Sequence, residues 1–144
     1  MKNIIIIYTL MLSSIVCAQN WETNWESASA KAEKNNQNII LVFSGSDWCA
    51  PCIKLDKEIW STSKFQELSK DYFVMLKADF PRKSKNALAK DQQIQNNNLA
   101  EKYNQKGYFP YVVVLNSKGT ILGDLGYEKT TPELYFKKLQ TFEK

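Results

Sequence analysis

The sequence predicts an α/β domain built on a central mixed sheet of about four strands flanked by helices. Three observations point to it. Ile39-Ile40-Leu41-Val42-Phe43 is an unbroken apolar run, the pattern of a strand covered on both faces. Stretches of helical and of extended periodicity alternate along the chain. Asn116-Ser117-Lys118-Gly119 is a turn signal between two short apolar runs; such a hairpin sets the last two strands antiparallel and makes the sheet mixed.

The elements follow in order. Thr23 to Asn36 reads as a helix, with Trp25, Ala28 and Ala32 on one face. Thr23 and Glu26 have capping-box spacing, and Asn35-Asn36 closes the helix. The strand Ile39 to Phe43 leads into the loop Ser44-Gly45-Ser46-Asp47, and a helix follows from Cys49 to about Ile59. A short helix spans Ser63 to Lys70, with Ser63 and Gln66 as its cap pair. Tyr72 to Ala78 is the second strand. Pro81 to Lys106 is polar, and Leu88, Ile94, Leu99 and Tyr103 mark a helix over its later part. Tyr111 to Leu115 and Thr120 to Leu125 are the third and fourth strands. Thr131-Pro132-Glu133 starts a last helix, running to about Phe142, with proline at its first position. The order is α-β-α-α-β-α-β-β-α.

This domain occupies residues 19–144 behind a segment of another kind. Met1-Lys2-Asn3 opens the chain, and Ile4 to Val16 is nearly all apolar. A positive start and a short apolar core make a secretory signal, and the run is short of the about 20 residues that span a bilayer. Val16-Cys17-Ala18 fits a cleavage site before Gln19, so residues 1–18 read as a signal peptide. An uncleaved anchor and a lipid on Cys17 are the alternatives; the bulky Ile15 and Val16 speak against the lipid. Cleavage removes Cys17 and leaves Cys49 and Cys52 in an oxidising compartment. A periplasmic or secreted protein with no stable membrane span is the expectation.

Composition removes whole classes of chemistry. The chain has no histidine. Ser-His-Asp and Cys-His nucleophiles, and nearly all catalytic zinc sites, are therefore excluded. The formal net charge of +4, from 19 basic and 15 acidic residues in 144, is a mild excess spread along the chain and gives no footprint for nucleic acid. No cofactor is implied.

What remains is Trp48-Cys49-Ala50-Pro51-Cys52. It sits between a buried strand and a helix, and that position matters. At a helix N-terminus the free backbone N–H groups and the dipole favour negative charge. They lower the thiol pKa and supply a thiolate at Cys49. Two intervening residues bring Cys52 within disulfide reach, where it can resolve a mixed disulfide. Ala50 and Pro51 shape the motif: proline costs little in a first turn and stiffens it. Such a reading needs the Cys49 sulfur ionised and reachable from solvent. Structural zinc lacks ligands, since no other cysteine or histidine remains. A purely structural disulfide stays open, although so small a loop adds little stability.

On these residues the chain resembles the thioredoxin superfamily. The matching parts are Ile39 to Phe43, Trp48-Cys49-Ala50-Pro51-Cys52, Gly107-Tyr108-Phe109-Pro110 leading into Tyr111 to Leu115, then Asn116 to Gly119 and the last helix. It looks most like the small exported thioredoxin-like proteins of Gram-negative bacteria, of the Bacteroidetes type. The resemblance implies a thioredoxin-like fold and a cis bond before Pro110, geometry that is cheap only at proline. It also implies that Pro110 lies against the cysteine pair, that Phe109 pairs with an extended substrate segment, and that Trp48 shields the site. Two departures stand out. Thioredoxins proper carry a buried aspartate where this chain has Phe43, so protons must move through water or another carboxylate; Asp47 and Asp56 are near in sequence but read as surface charges. Phe109 is bulkier than usual and narrows the groove. The stretch Phe80 to Asn98 is longer than in a minimal thioredoxin, either an elaboration or a partner surface.

The leading expectation is an exported thiol–disulfide oxidoreductase acting on protein thiols or disulfides through Cys49 and Cys52. The strong oxidants of the superfamily place a histidine between their cysteines; Ala50-Pro51 brings no cation, which favours a reducing role. A reductase outside the cytoplasm needs an electron donor, for which a membrane thiol relay is the expected partner. The alternative is a peptide- or partner-binding module with a structural or redox-silent disulfide.

Overall fold

A computed structural model describes residues 20–143. The expected signal segment, with Lys2, Cys17 and its cleavage after Ala18, lies outside the described residues.

The elements are α1 (Trp25–Asn35), β1 (Asn38–Ser44), α2 (Ala50–Leu55) continued by a π-helical turn (Asp56–Trp60), α3 (Ser63–Ser69), β2 (Phe73–Asp79), a 3-10 turn (Ser84–Asn86), α4 (Lys90–Tyr103), β3 (Tyr111–Leu115), β4 (Ile121–Leu125) and α5 (Pro132–Gln140). The four strands form one mixed sheet in the order β2-β1-β3-β4. β1 runs parallel to β2 and antiparallel to β3, and β3 runs antiparallel to β4. The free edge of β2 is met by Glu22, whose amide donates to the Met75 carbonyl at 2.8 Å. No helix among the described residues is long and apolar enough to cross a membrane.

The apolar run of β1 is central because both faces of that strand are covered. Ile40 and Val42 face a cluster with Leu55, Ile59, Trp60, Phe65 and Tyr135, from α2, its π-helical turn, α3 and α5. Ile39, Leu41 and Phe43 face the opposite cluster with Ala28 and Ala32 of α1 and Leu99 and Tyr103 of α4. Period-2 alternation thus sends successive β1 side chains into two separate cores. Burial of this kind stabilises by about 25 cal/mol per Å² of apolar surface removed from water.

Several boundaries differ from the sequence expectation for local reasons. α1 is capped by Asn24, whose Oδ1 accepts from the Ser27 amide at 2.8 Å, and not by Thr23. Its end at Asn36 is as expected, with that residue left-handed at φ 53°. α3 is capped by Thr62, one residue before Ser63, its hydroxyl accepting from the Phe65 amide at 3.2 Å. The helix expected to reach Ile59 changes to π geometry at Asp56. On α4, Leu99 and Tyr103 are buried as their spacing indicates, but Ile94 is 47% exposed. The buried position nearby is Asn96, whose Nδ2 donates to the Asp79 carbonyl at 2.9 Å while its Oδ1 accepts from Gln92. A satisfied amide inside is cheap, whereas apolar periodicity does not register it. In the β3–β4 turn, Asn116 Oδ1 accepts from the amides of Lys118 and Thr120. Gly119 takes φ 81° there, where a Cβ would be strained.

Candidate active site

The cysteine pair stands where β1 ends and α2 begins. Between them the chain turns on Gly45, whose carbonyl accepts from the amides of Trp48 and Cys49 at 3.2 and 2.9 Å. A Cβ on Gly45 would run into the indole of Trp48, so this close approach requires glycine. Ser46 fastens the loop to the end of β2, donating to the Asp79 carboxylate from its amide at 2.9 Å and its hydroxyl at 2.6 Å.

Cys49 is the N-cap of α2, with extended backbone (φ −90°, ψ 99°). Its Sγ accepts from the Cys52 amide at 3.3 Å, one of the N–H groups with no helical partner. Ala50 and Pro51 fill the exposed first turn between them. The two cysteines are joined in a disulfide, Cα to Cα 5.2 Å. In this oxidised form Cys49 is 4% exposed and Cys52 3%. Exposure therefore does not mark Cys49 as the open sulfur, contrary to the expectation from sequence. Each sulfur is turned toward the other, and what distinguishes the two is the N-cap position.

Phe109 and Pro110 enter from the loop between α4 and β3, and the peptide bond between them is cis. Asn104, itself buried, braces this loop: its Oδ1 accepts from the Tyr108 amide at 3.0 Å and its Nδ2 donates to the Tyr108 carbonyl at 2.9 Å. The Phe109 ring lies edge-on to Trp48, centroids 5.4 Å apart, and to Phe80 at 5.5 Å. Phe80 continues to Phe43 at 6.5 Å, and Phe43 to Tyr111 at 6.3 Å. The residue that replaces the thioredoxin aspartate is thus a fully buried link in an aromatic row, in surroundings that would penalise a charge.

Trp48 is half-buried and held from three sides. Its Nε1–H donates to the Phe80 carbonyl at 2.7 Å. Phe109 meets one edge, and the Arg82 guanidinium lies over the ring, 3.6 Å from its centroid.

Asp47 is at the surface, as expected, but its carboxylate is fully engaged. Its Oδ1 accepts from the Arg82 amide at 2.9 Å, and its Oδ2 from the Lys83 amide at 3.0 Å and Asn86 Nδ2 at 2.8 Å. The backbone hydrogen bond from Arg82, then that from Asn86, hold its carboxyl below the usual carboxylate range. Asp56 is also engaged, accepting from Ser61 Oγ at 2.9 Å and lying 3.7 Å from Lys77 Nζ. The expected site residues Trp48, Cys49, Ala50, Pro51, Cys52, Phe109 and Pro110 lie on the β1–α2 loop with the first turn of α2 and on the α4–β3 loop, at one end of the sheet. Sequence reasoning missed Phe80 and Arg82. Both lie more than thirty positions from Trp48, and no local pattern signals contact at that separation.

Two depressions open here. One, of about 390 Å³, lies between Trp48, Phe80, Arg82 and Phe109. The other, of about 850 Å³, lies along Tyr108, Pro110, Tyr111 and Asp124.

Residues 20–117 match the family model described as thioredoxin-like. The chain is 32% identical over 120 residues to the disulfide bond reductase DsbH of Chlamydia pneumoniae, an alignment covering 81% of this chain and 70% of that protein. Among solved structures it is similar to a DsbH oxidoreductase, with TM-score 0.80 and 28% identity over 93% of this chain and 92% of the other. A disulphide isomerase from Xylella fastidiosa shares the fold, with TM-score 0.59 and 22% identity over 81% and 86% of the two chains.

Proposed function

This chain belongs to the thioredoxin-like family, and from that membership and the geometry at the start of α2 we propose that it reduces protein disulfides outside the cytoplasm. Thiol–disulfide oxidoreductase activity follows from the family and the Cys-x-x-Cys pair; the direction, the location and the residue roles are the parts proposed. One observation carries the roles: Cys49 Sγ caps the helix, 3.3 Å from the Cys52 amide. A backbone donor and the helix dipole at that point favour a sulfur bearing negative charge.

In the dithiol form the Cys49 thiolate attacks one sulfur of a substrate disulfide, and the other substrate sulfur leaves as a thiolate. Cys49 is then joined to the substrate. Cys52 gives its proton to water and attacks Cys49 Sγ, which releases the second substrate thiolate and closes the Cys49–Cys52 disulfide. Two electrons pass from the pair to the substrate. Phe109 offers backbone to an extended substrate segment, Pro110 supports the cysteine pair, and Trp48 covers one flank. Ala50-Pro51 supplies no cation that would stabilise the dithiol further, and the relative from Chlamydia pneumoniae bears the name of a reductase; both support the reducing direction. Turnover then requires a donor of electrons outside the cytoplasm, for which we propose a membrane thiol relay. The signal character of residues 1–18 supports export.

Reduction of insulin, followed by turbidity with a small thiol as electron source, tests the reading. Wild type should accelerate precipitation, Cys49→Ser should abolish the effect, and Cys52→Ser should accumulate a mixed disulfide. A wild-type rate no greater than that of the small thiol alone would sink it.

A further inference from the structure

We propose that Arg82 selects substrates carrying a carboxylate beside the target cysteine; this rests on the reductase reading. The Arg82 guanidinium lies over the Trp48 indole, 3.6 Å from the ring centroid. Trp48 immediately precedes Cys49, so the cation stands at the flank of the cysteine pair. Its place is built from both ends. Asp47 grips the Arg82 and Lys83 amides and the Asn86 side chain, and Trp48 is itself fixed by the Phe80 carbonyl.

The guanidinium is fixed but not used up. No carboxylate lies within ion-pair distance of it among the described residues, and none of its N–H groups donates to a protein acceptor there. The Asp47 charge is spent on backbone and amide donors. With no protein acceptor taken up, the guanidinium keeps N–H groups for a ligand, and its fork can bind a carboxylate with two parallel hydrogen bonds. Arg82 lines the depression of about 390 Å³ together with Trp48, Phe80, Gln93 and Phe109. The aromatic rings offer apolar contact there, and Arg82 offers a partner for an anion. An extended substrate held at Phe109 passes this depression, so a glutamate or aspartate near its cysteine meets Arg82. Stacking on the indole removes much of the ordering cost that an exposed arginine otherwise meets.

Three disulfide-bonded peptides test this, identical except for glutamate, glutamine or lysine next to the reacting cysteine. The pre-reduced protein is mixed with each, and the second-order rate constant is followed by stopped flow. Wild type should favour glutamate over glutamine by roughly tenfold, as expected when a charge-assisted hydrogen bond forms at a partly open site. Lysine should be slowest. Arg82→Gln should bring the glutamate-to-glutamine ratio to about 1, Arg82→Lys should keep part of it, and Arg82→Glu should reverse it. In wild type the ratio should shrink as salt rises from 0.05 to about 0.5 M; this measurement does not depend on any variant folding. Equal rates on all three peptides, or an unchanged ratio in Arg82→Gln, overturn the proposal and leave the reductase reading intact. Failure of wild type to reduce any of them overturns both.

Discussion

The indole Nε1–H of Trp48 donates to the carbonyl oxygen of Phe80 at 2.7 Å, joining the residue before Cys49 to the chain just beyond β2. The link spans the two loops that frame the cysteine pair. Trp48→Phe keeps an aromatic ring against Phe109 but deletes the donor, leaving a part-buried carbonyl without its partner. Stability should fall by about 1 kcal/mol, read from urea denaturation midpoints. An unchanged midpoint would mean that water replaces the bond without cost.

Asp47 makes the same frame sensitive to acid. Its carboxyl lies below its ordinary value of 3.8 because the Arg82 amide, Asn86 and the Lys83 amide all donate to the ionised form. A depressed native pKa contributes stability that is fully present above the unfolded value and lost as the pH falls through the native one. The backbone amide resonances of Arg82 and Lys83 should therefore shift together on acidification, with a midpoint below 3.8. A midpoint at or above that value would show that these hydrogen bonds do not hold the carboxylate in solution. Asp47→Asn should bring the same loosening at neutral pH.

Phe43 is fully buried and links Phe80 to Tyr111. Truncation to alanine removes a ring from a packed row that has little freedom to collapse. Phe43→Ala should cost about 3–5 kcal/mol in chemical denaturation. A loss below about 1 kcal/mol would mean that the row closes over the gap.

The two cysteines should part company once reduced. Cys49 caps the helix and has the Cys52 amide as donor, whereas Cys52 lies inside the first turn. Iodoacetamide at neutral pH should therefore modify Cys49 first, as located by peptide mass mapping, since the thiolate is the reacting form. Equal labelling, or labelling of Cys52 first, would remove the basis for assigning Cys49 as the attacking sulfur.

Sequence alone determined the elements and their order, because each depends on neighbours close in the chain. The apolar run Ile39 to Phe43 had to be a covered strand, Asn116 to Gly119 had to turn, and Thr131-Pro132 had to start a helix. The cysteine pair at a helix start was equally legible, since its chemistry is set by a spacing of three. Cap residues slipped by one where adjacent side chains, Asn24 beside Thr23 and Thr62 beside Ser63, were both able to accept the same kind of bond. Tertiary structure decided the rest. It buried Asn96 and left Ile94 outside, made the surface charge of Asp47 the anchor of a distant loop, and set Arg82 on Trp48. These contacts join residues brought together only when the sheet forms and its end loops meet, and a hydrogen bond or a stacked cation at that range leaves no periodicity along the chain.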